Sequence, residues 1–223
     1  MVSWWPLEGN GNDIAGPNNG SLHNSPAFGP GKVNQAMSVN GTNGISVPDS
    51  PSLNFGANAD LSIDAWIKTN EMGRNTLTLV DKRVISGANV TGYVVYLFNG
   101  RLGCQLGVGG AGQDATNLSG DLRDGQWHHI AITVARTSVT GGKGYVDGVQ
   151  TGTFNPTARS GNLTNSNPLK IGEHETAPVA SFIGAIDEVE LFSRAITGAE
   201  VASIYNAGST GKCHPVMLRK KQR

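Results

Sequence analysis

An all-β fold is predicted for this chain of 223 residues: a two-sheet antiparallel sandwich with one short C-terminal helix. Three observations carry that expectation. Segments in which apolar and polar residues alternate recur along the chain, the pattern of strands with one buried face. Turn-forming clusters of Gly, Asn, Asp, Ser and Pro separate them roughly every ten residues, as sandwiches require. Only 15% of residues are charged while glycine numbers 31, a composition of tight turns rather than long helices.

Taken in order, the clearest strand is 61–68, which puts Leu61, Ile63, Ala65 and Ile67 on one face and Trp66 with polar groups on the other. Strands over 77–81, 93–98 and 101–106 follow. Asn99-Gly100 joins the last two as a two-residue hairpin turn, whose central positions both need positive φ. The segment 127–135 alternates again through Ile130, Ile132 and Val134. Residues 143–150 contain a second such turn at Asp147-Gly148, and strands at 169–172 and 182–192 complete the set. The glycine run 107–112 reads as a hairpin loop; with no helix after it, its likeness to a dinucleotide fingerprint is empty. The helix follows Thr197, where Thr197-Gly198-Ala199-Glu200 forms a capping box. Val201, Ile204 and Tyr205 share one face, and Gly208 stands where a positive-φ stop is wanted. The expected organisation is one domain over 1–213 and a basic tail without fixed structure over 214–223.

Formal net charge is zero, yet four of the 17 basic residues (Arg219, Lys220, Lys221, Arg223) lie in that tail. The body is therefore acidic on balance, which argues against a nucleic-acid surface. Of two cysteines, Cys104 sits in an apolar run and reads as a small core residue; a bridge to Cys213 stays open, because spacing alone does not place them within reach. No apolar run approaches the ~20 residues of a membrane span. With the first strand starting almost at Met1 and no leader before it, the chain reads as a module of a longer secreted polypeptide.

Several segments together resemble one family. They are Trp4-Trp5-Pro6-Leu7-Glu8-Gly9-Asn10, the loop from Asn12-Asp13 to Gly20, Gly31 to Met37, Ser62 to Ile67, Gly125 to Ala131, Tyr145 to Gly148, and Gly184 to Phe192 followed by Arg194 to Thr197. In this order the set resembles laminin-G-like jelly-roll modules of the concanavalin A-like lectin/glucanase superfamily. The resemblance implies two stacked antiparallel sheets in an accessory module of secreted or cell-surface proteins. It also implies a structural calcium ion bridging the N-terminal loop and the late acidic strand, with Asp13, Asn18 and Asp187 as ligands and Glu8 as a weaker one. Calcium's preference for carboxylate, amide and carbonyl oxygens suits that set.

A ligand site is expected on the open sheet face or in the loops. Trp5, Trp66, Tyr93 and Tyr96 are the candidate aromatic platforms, and Asp81-Lys82, Arg101 and His174 the candidate polar groups. His128 and His129, adjacent on a strand, point to opposite faces and cannot share one metal ion. An enzyme is not expected. The nearest match to a sandwich-glucanase strand, Ala185-x-Asp187-x-x-Glu190, lacks its first carboxylate, and Asp187 and Glu190 face opposite ways unless a bulge intervenes. The expected function is a non-catalytic, calcium-dependent carbohydrate-binding or adhesion module acting on a glycan or an extracellular protein. Two alternatives remain: a structural spacer without its own ligand and, behind it, a glycoside hydrolase.

Overall fold

Alternating side chains build two sheets whose apolar faces meet, and the computed structural model describes this arrangement for residues 1–211. The expected domain limit at 213, the tail and Cys213 lie outside the described residues.

The first sheet comprises β1 (Ser3–Trp5), β3 (Ala27–Pro30), β4 (Gln35–Asn40), β6 (Leu61–Lys68), β11 (Trp127–Val134), β12 (Gly142–Val146), β13 (Val149–Phe154) and β15 (Ile183–Phe192). Its order is β13-β12-β11-β6-β15-β4-β3, with β1 also pairing with β15. The second sheet comprises β2 (Ser21–His23), β5 (Gly44–Val47), β7 (Thr76–Ser86), β8 (Asn89–Phe98), β9 (Arg101–Gly110), β10 (Gln113–Ala115) and β14 (Leu169–Ile171). It runs β10-β9-β8-β7-β14-β5-β2. Among the described residues, every pair of these strands is antiparallel.

The core between them takes Leu61, Ile63, Ala65 and Ile67 of β6, Tyr93, Val95 and Leu97 of β8, Leu102, Cys104 and Leu106 of β9, and Ile130, Ile132 and Val134 of β11. Both two-residue turns form as expected: Asn99 and Gly100 have φ of 49° and 78°, Asp147 and Gly148 of 51° and 79°. The glycine run differs from its expected loop, since Gly107 to Gly110 belong to β9.

Two bulges decide which side chains face outward. In β7, the register against β8 shifts between Thr78 and Val80. An extra residue reverses the facing of everything after it. Val80 therefore joins Leu77 and Leu79 in the core, and Asp81 and Arg83 turn out. In β15, Asp187 pairs with Trp66 and Glu190 with Asp64, so three residues span what two span on β6. Glu188, at φ 53°, is the residue that absorbs the step.

The helix α1 (Gly198–Ala207) begins at Thr197, where both arms of the capping box are present. It lies over the outer face of the first sheet. Val201 packs with Ala131, Tyr145, Phe192 and Ile196, and Tyr205 stacks on Trp66 at 5.6 Å between ring centres. No helix among the described residues is long and apolar enough to cross a membrane.

Candidate functional site

Outward-facing side chains of four neighbouring strands form one connected polar network on the second sheet. From β7, Arg83 grips Asp81 with two hydrogen bonds, Nε to Oδ1 at 2.7 Å and Nη2 to Oδ2 at 2.6 Å. Its Nη1 donates to Gln105 Oε1 of β9 at 2.7 Å. Gln105 Nε2 donates to Asp114 Oδ2 of β10 at 3.0 Å, and Tyr96 OH of β8 donates to Asp114 Oδ1 at 2.6 Å. Burial, then the hydrogen bond to Asp114, drives the Tyr96 phenol well above its ordinary pKa, so it stays a donor.

The network borders a cleft of about 300 Å³, which Arg83, Tyr96 and Asp114 line together with Thr76, Thr78, Phe98, Thr116 and His174. Phe98 exposes 39% of its surface. Thr78 is fully buried and its hydroxyl has no partner among the described residues. His174 enters from the loop after β14. Its Nδ1 accepts from the backbone N–H groups of Thr176 (3.1 Å) and Ala177 (3.0 Å), and its Nε2 lies 3.1 Å from Arg83 Nη2. Burial lowers its pKa and outweighs the opposing pull of Asp81, leaving a neutral ring.

Of the residues expected to bind ligand, Tyr96 and His174 meet in this cleft. Lys82 does not: it is wholly buried, with Nζ bound to the carbonyls of Asn165 (2.9 Å) and Asn167 (3.0 Å) and to Asp49 (2.9 Å). Tyr93 belongs to the core, its hydroxyl donating to Leu53 O at 2.9 Å. Arg101 stays exposed at the hairpin, with one long bond to Ser119 O. Trp5 and Trp66 are buried and offer no platform. Arg83, Asp114, Phe98 and Thr78 are site residues that sequence reasoning missed.

Most oxygens of the donor set expected for calcium are taken by hydrogen bonds of the fold itself. Asp13 Oδ1 accepts from Trp4 N, Ala15 N and Gly16 N, and Oδ2 from Asn18 N. An ionised carboxylate has about four acceptor positions, so backbone donors saturate it. The Asn18 side chain is taken up by Ser3 and Ser52. Asp187 Oδ2 accepts from Lys32 N and Val33 N, while its buried Oδ1 is without a partner among the described residues. Glu8 uses one oxygen on Gln35 N. Burial pushes the Asp187 carboxyl up to about 7, aided by the Glu188 and Glu8 charges. No group of three His, Cys, Asp or Glu among the described residues is arranged to hold a metal. Asp13 and Asn18 are thus engaged within the fold, whereas Asp187 Oδ1 and Glu8 Oε1 are buried without a hydrogen-bond partner among the described residues.

The bulge in β15 settles the facing left open above: Asp187 and Glu190 lie on the same face, with Asp64 opposite Glu190. His129 completes the group, Nε2 at 3.2 Å from Asp64 Oδ1, under the rings of Trp66 and Tyr205. All four are fully buried, so no sugar reaches these carboxylates. His128, on the other face, sits between Asp147 (2.9 Å) and Asp124 (3.2 Å). Burial alone would lower its pKa; the two carboxylates outweigh that and raise it.

A laminin-G family profile, described as the concanavalin A-like lectin/glucanases superfamily, matches residues 39–202. The chain belongs to that superfamily. Among curated proteins none matches the sequence. Solved structures share the superfamily fold. The binding domain of Paraclostridial Mosquitocidal Protein 1 is similar with a TM-score of 0.74 at 18% identity, over 92% of this chain and 51% of that one. Domain 4 of AbnA, a GH43 extracellular arabinanase from Geobacillus stearothermophilus in complex with arabinotriose, gives 0.68 at 20% identity, covering 91% and 96%. Botulinum neurotoxin type C, whose cell entry depends on interaction with two ganglioside molecules, gives 0.66 at 12%, covering 93% and 50%. This chain thus spans about half the length of the toxin chains it matches. At these identities the likeness is one of superfamily fold.

Proposed function

We propose that the protein is a non-catalytic, lectin-like module that binds a neutral glycan in the cleft on the outer face of the second sheet, as part of a longer extracellular polypeptide. The observation that carries this reading is the composition of the cleft. Arg83 is paired with Asp81, and Asp114 is held by the neutral donors Tyr96 and Gln105, so the cleft offers directional hydrogen bonders rather than a field for an anion. The exposed Phe98 ring supplies an apolar surface of the kind that stacks on a sugar's C–H face. A hydroxyl-rich, uncharged ligand uses both features. Domain 4 of AbnA in complex with arabinotriose, and the ganglioside dependence of the type C neurotoxin, support a glycan as the partner and an extracellular setting. Calcium is no part of the reading, because none of the expected donors lines the cleft.

Calorimetric titration with neutral trisaccharides (arabino-, xylo- and cellotriose), with and without chelator, tests it. Binding is expected in chelator. Phe98→Ala and Arg83→Ala are each expected to weaken it about tenfold, the equivalent of about 1.4 kcal/mol. Absence of binding across a broad glycan array would sink the reading and favour the spacer or a protein partner. Binding seen only with calcium would reinstate the metal.

A further inference from the structure

The hydrogen bonds around His174 fix its tautomer, and the tautomer creates a conflict that a ligand resolves. Two backbone N–H groups, of Thr176 and Ala177, point at Nδ1. A nitrogen that accepts twice carries no proton, so in the neutral ring the proton is on Nε2; the assignment follows from the network. Yet Nε2 faces Arg83 Nη2 at 3.1 Å, and a guanidinium has only donors. Two donors therefore abut within hydrogen-bond distance at the wall of the cleft, with no acceptor between them. Arg83 cannot swing away, because Asp81 and Gln105 hold Nε, Nη1 and Nη2. His174 is held by its two N–H contacts and by its own N–H on Ser181 Oγ at 3.0 Å. Thr78, in the same cleft, adds a buried hydroxyl without a partner among the described residues.

We propose that His174 Nε2–H and Arg83 Nη2 form a paired-donor clamp for one acceptor oxygen of the ligand, a hydroxyl or ring oxygen of a neutral sugar. The inference rests on the cleft being the glycan site. Such a clamp rewards a ligand that places an unshared oxygen against both donors, and it discriminates against an analogue lacking that oxygen, since the two donors then stay buried and unsatisfied. Orientation of the sugar over Phe98 follows from this single fixed point.

Ring-nitrogen NMR of the ¹⁵N-histidine-labelled protein, titrated with the same neutral trisaccharides, tests the clamp alongside one variant. Before ligand, Nδ1 of His174 is expected at the position of an unprotonated acceptor and Nε2 at that of a protonated nitrogen. A binding sugar is expected to move Nε2 while leaving Nδ1 in place. In His174→Asn, the amide oxygen can still accept from the N–H groups two and three residues on, as Asx turns do, but no donor reaches Arg83. This variant is expected to keep its melting temperature and lose binding at least tenfold. A proton found on Nδ1 overturns the clamp. So does a sugar that binds without moving Nε2 and binds His174→Asn equally well, while the lectin reading survives. If no sugar binds although the tautomer is as stated, the lectin reading fails and the clamp's ligand with it.

Discussion

Lys82 and Arg83 are neighbours in sequence with opposite fates, and the difference lies in one extra residue in β7. Counting by twos from Leu77 sends Lys82 outward; the bulge between Thr78 and Val80 sends it in and brings Arg83 out. Lys82 then finds two carbonyls and Asp49 at the edge of the core, so its charge is compensated although fully buried. Lys82→Met is expected to strand the carbonyls of Asn165 and Asn167 and to cost about 2–6 kcal/mol, at about 1–3 kcal/mol for each unsatisfied group. Denaturant unfolding measures this, and sugar affinity should be unchanged. Lost affinity with stability intact would return Lys82 to the site. Nothing in the local sequence marks the bulge, which explains why Arg83 went unread. Tyr93 was a different matter, because it differs in parity from Tyr96 on one strand and the two cannot share a face. His174 was legible as a polar loop residue, but its tautomer depends on contacts that only the fold creates.

Elements whose cues are local were read correctly. The two positive-φ turns and the strand 61–68 need only their own residues, and so does the capping box of α1, where Thr197 Oγ1 accepts from Glu200 N (3.2 Å) and Glu200 Oε2 from Thr197 N (2.8 Å). What the helix covers was not legible, since it depends on β15 returning Asp187 and Glu190 to one face through the Glu188 bulge. That acidic face is buried, so its carboxylates are closed to a sugar. Thr197→Ala is expected to cost ~1 kcal/mol, the usual worth of an N-cap. The loss should be concentrated in α1, read as faster amide exchange there and as a change in the fluorescence of Trp66, on which Tyr205 stacks. Uniform acceleration across the sheets, with α1 no worse than they are, would mean that the helix does not open on its own.

The two ends of the described chain meet at β15, and Asp187 is where that junction responds to pH. β1 pairs with the second half of the strand and β4 with the first, while the loop before β4 reaches over it through Lys32 N and Val33 N, both donating to Asp187 Oδ2. The resemblance implies a calcium ligand at this position; its Oδ2 is taken by two backbone N–H groups that tie the loop to the strand. Burial raises its carboxyl from the ordinary value of 3.8 to about 7. The sign follows. Below pH 3.8 the carboxyl is protonated in both folded and unfolded chains, and its contribution is fully present. Between 3.8 and about 7 only the unfolded chain ionises, so stability falls with rising pH and levels off above about 7. At about 1.4 kcal/mol per unit, the loss is a few kcal/mol. Asp187→Asn, which keeps the acceptor oxygen and removes the charge, is expected to flatten this slope and to raise stability at pH 8, measured by denaturant unfolding across pH in chelator. Added calcium should leave the wild-type curve where it is. If instead calcium restores stability at pH 8, and Asp187→Asn abolishes that response, the carboxyl is a metal ligand and the junction is stapled by an ion rather than by a proton.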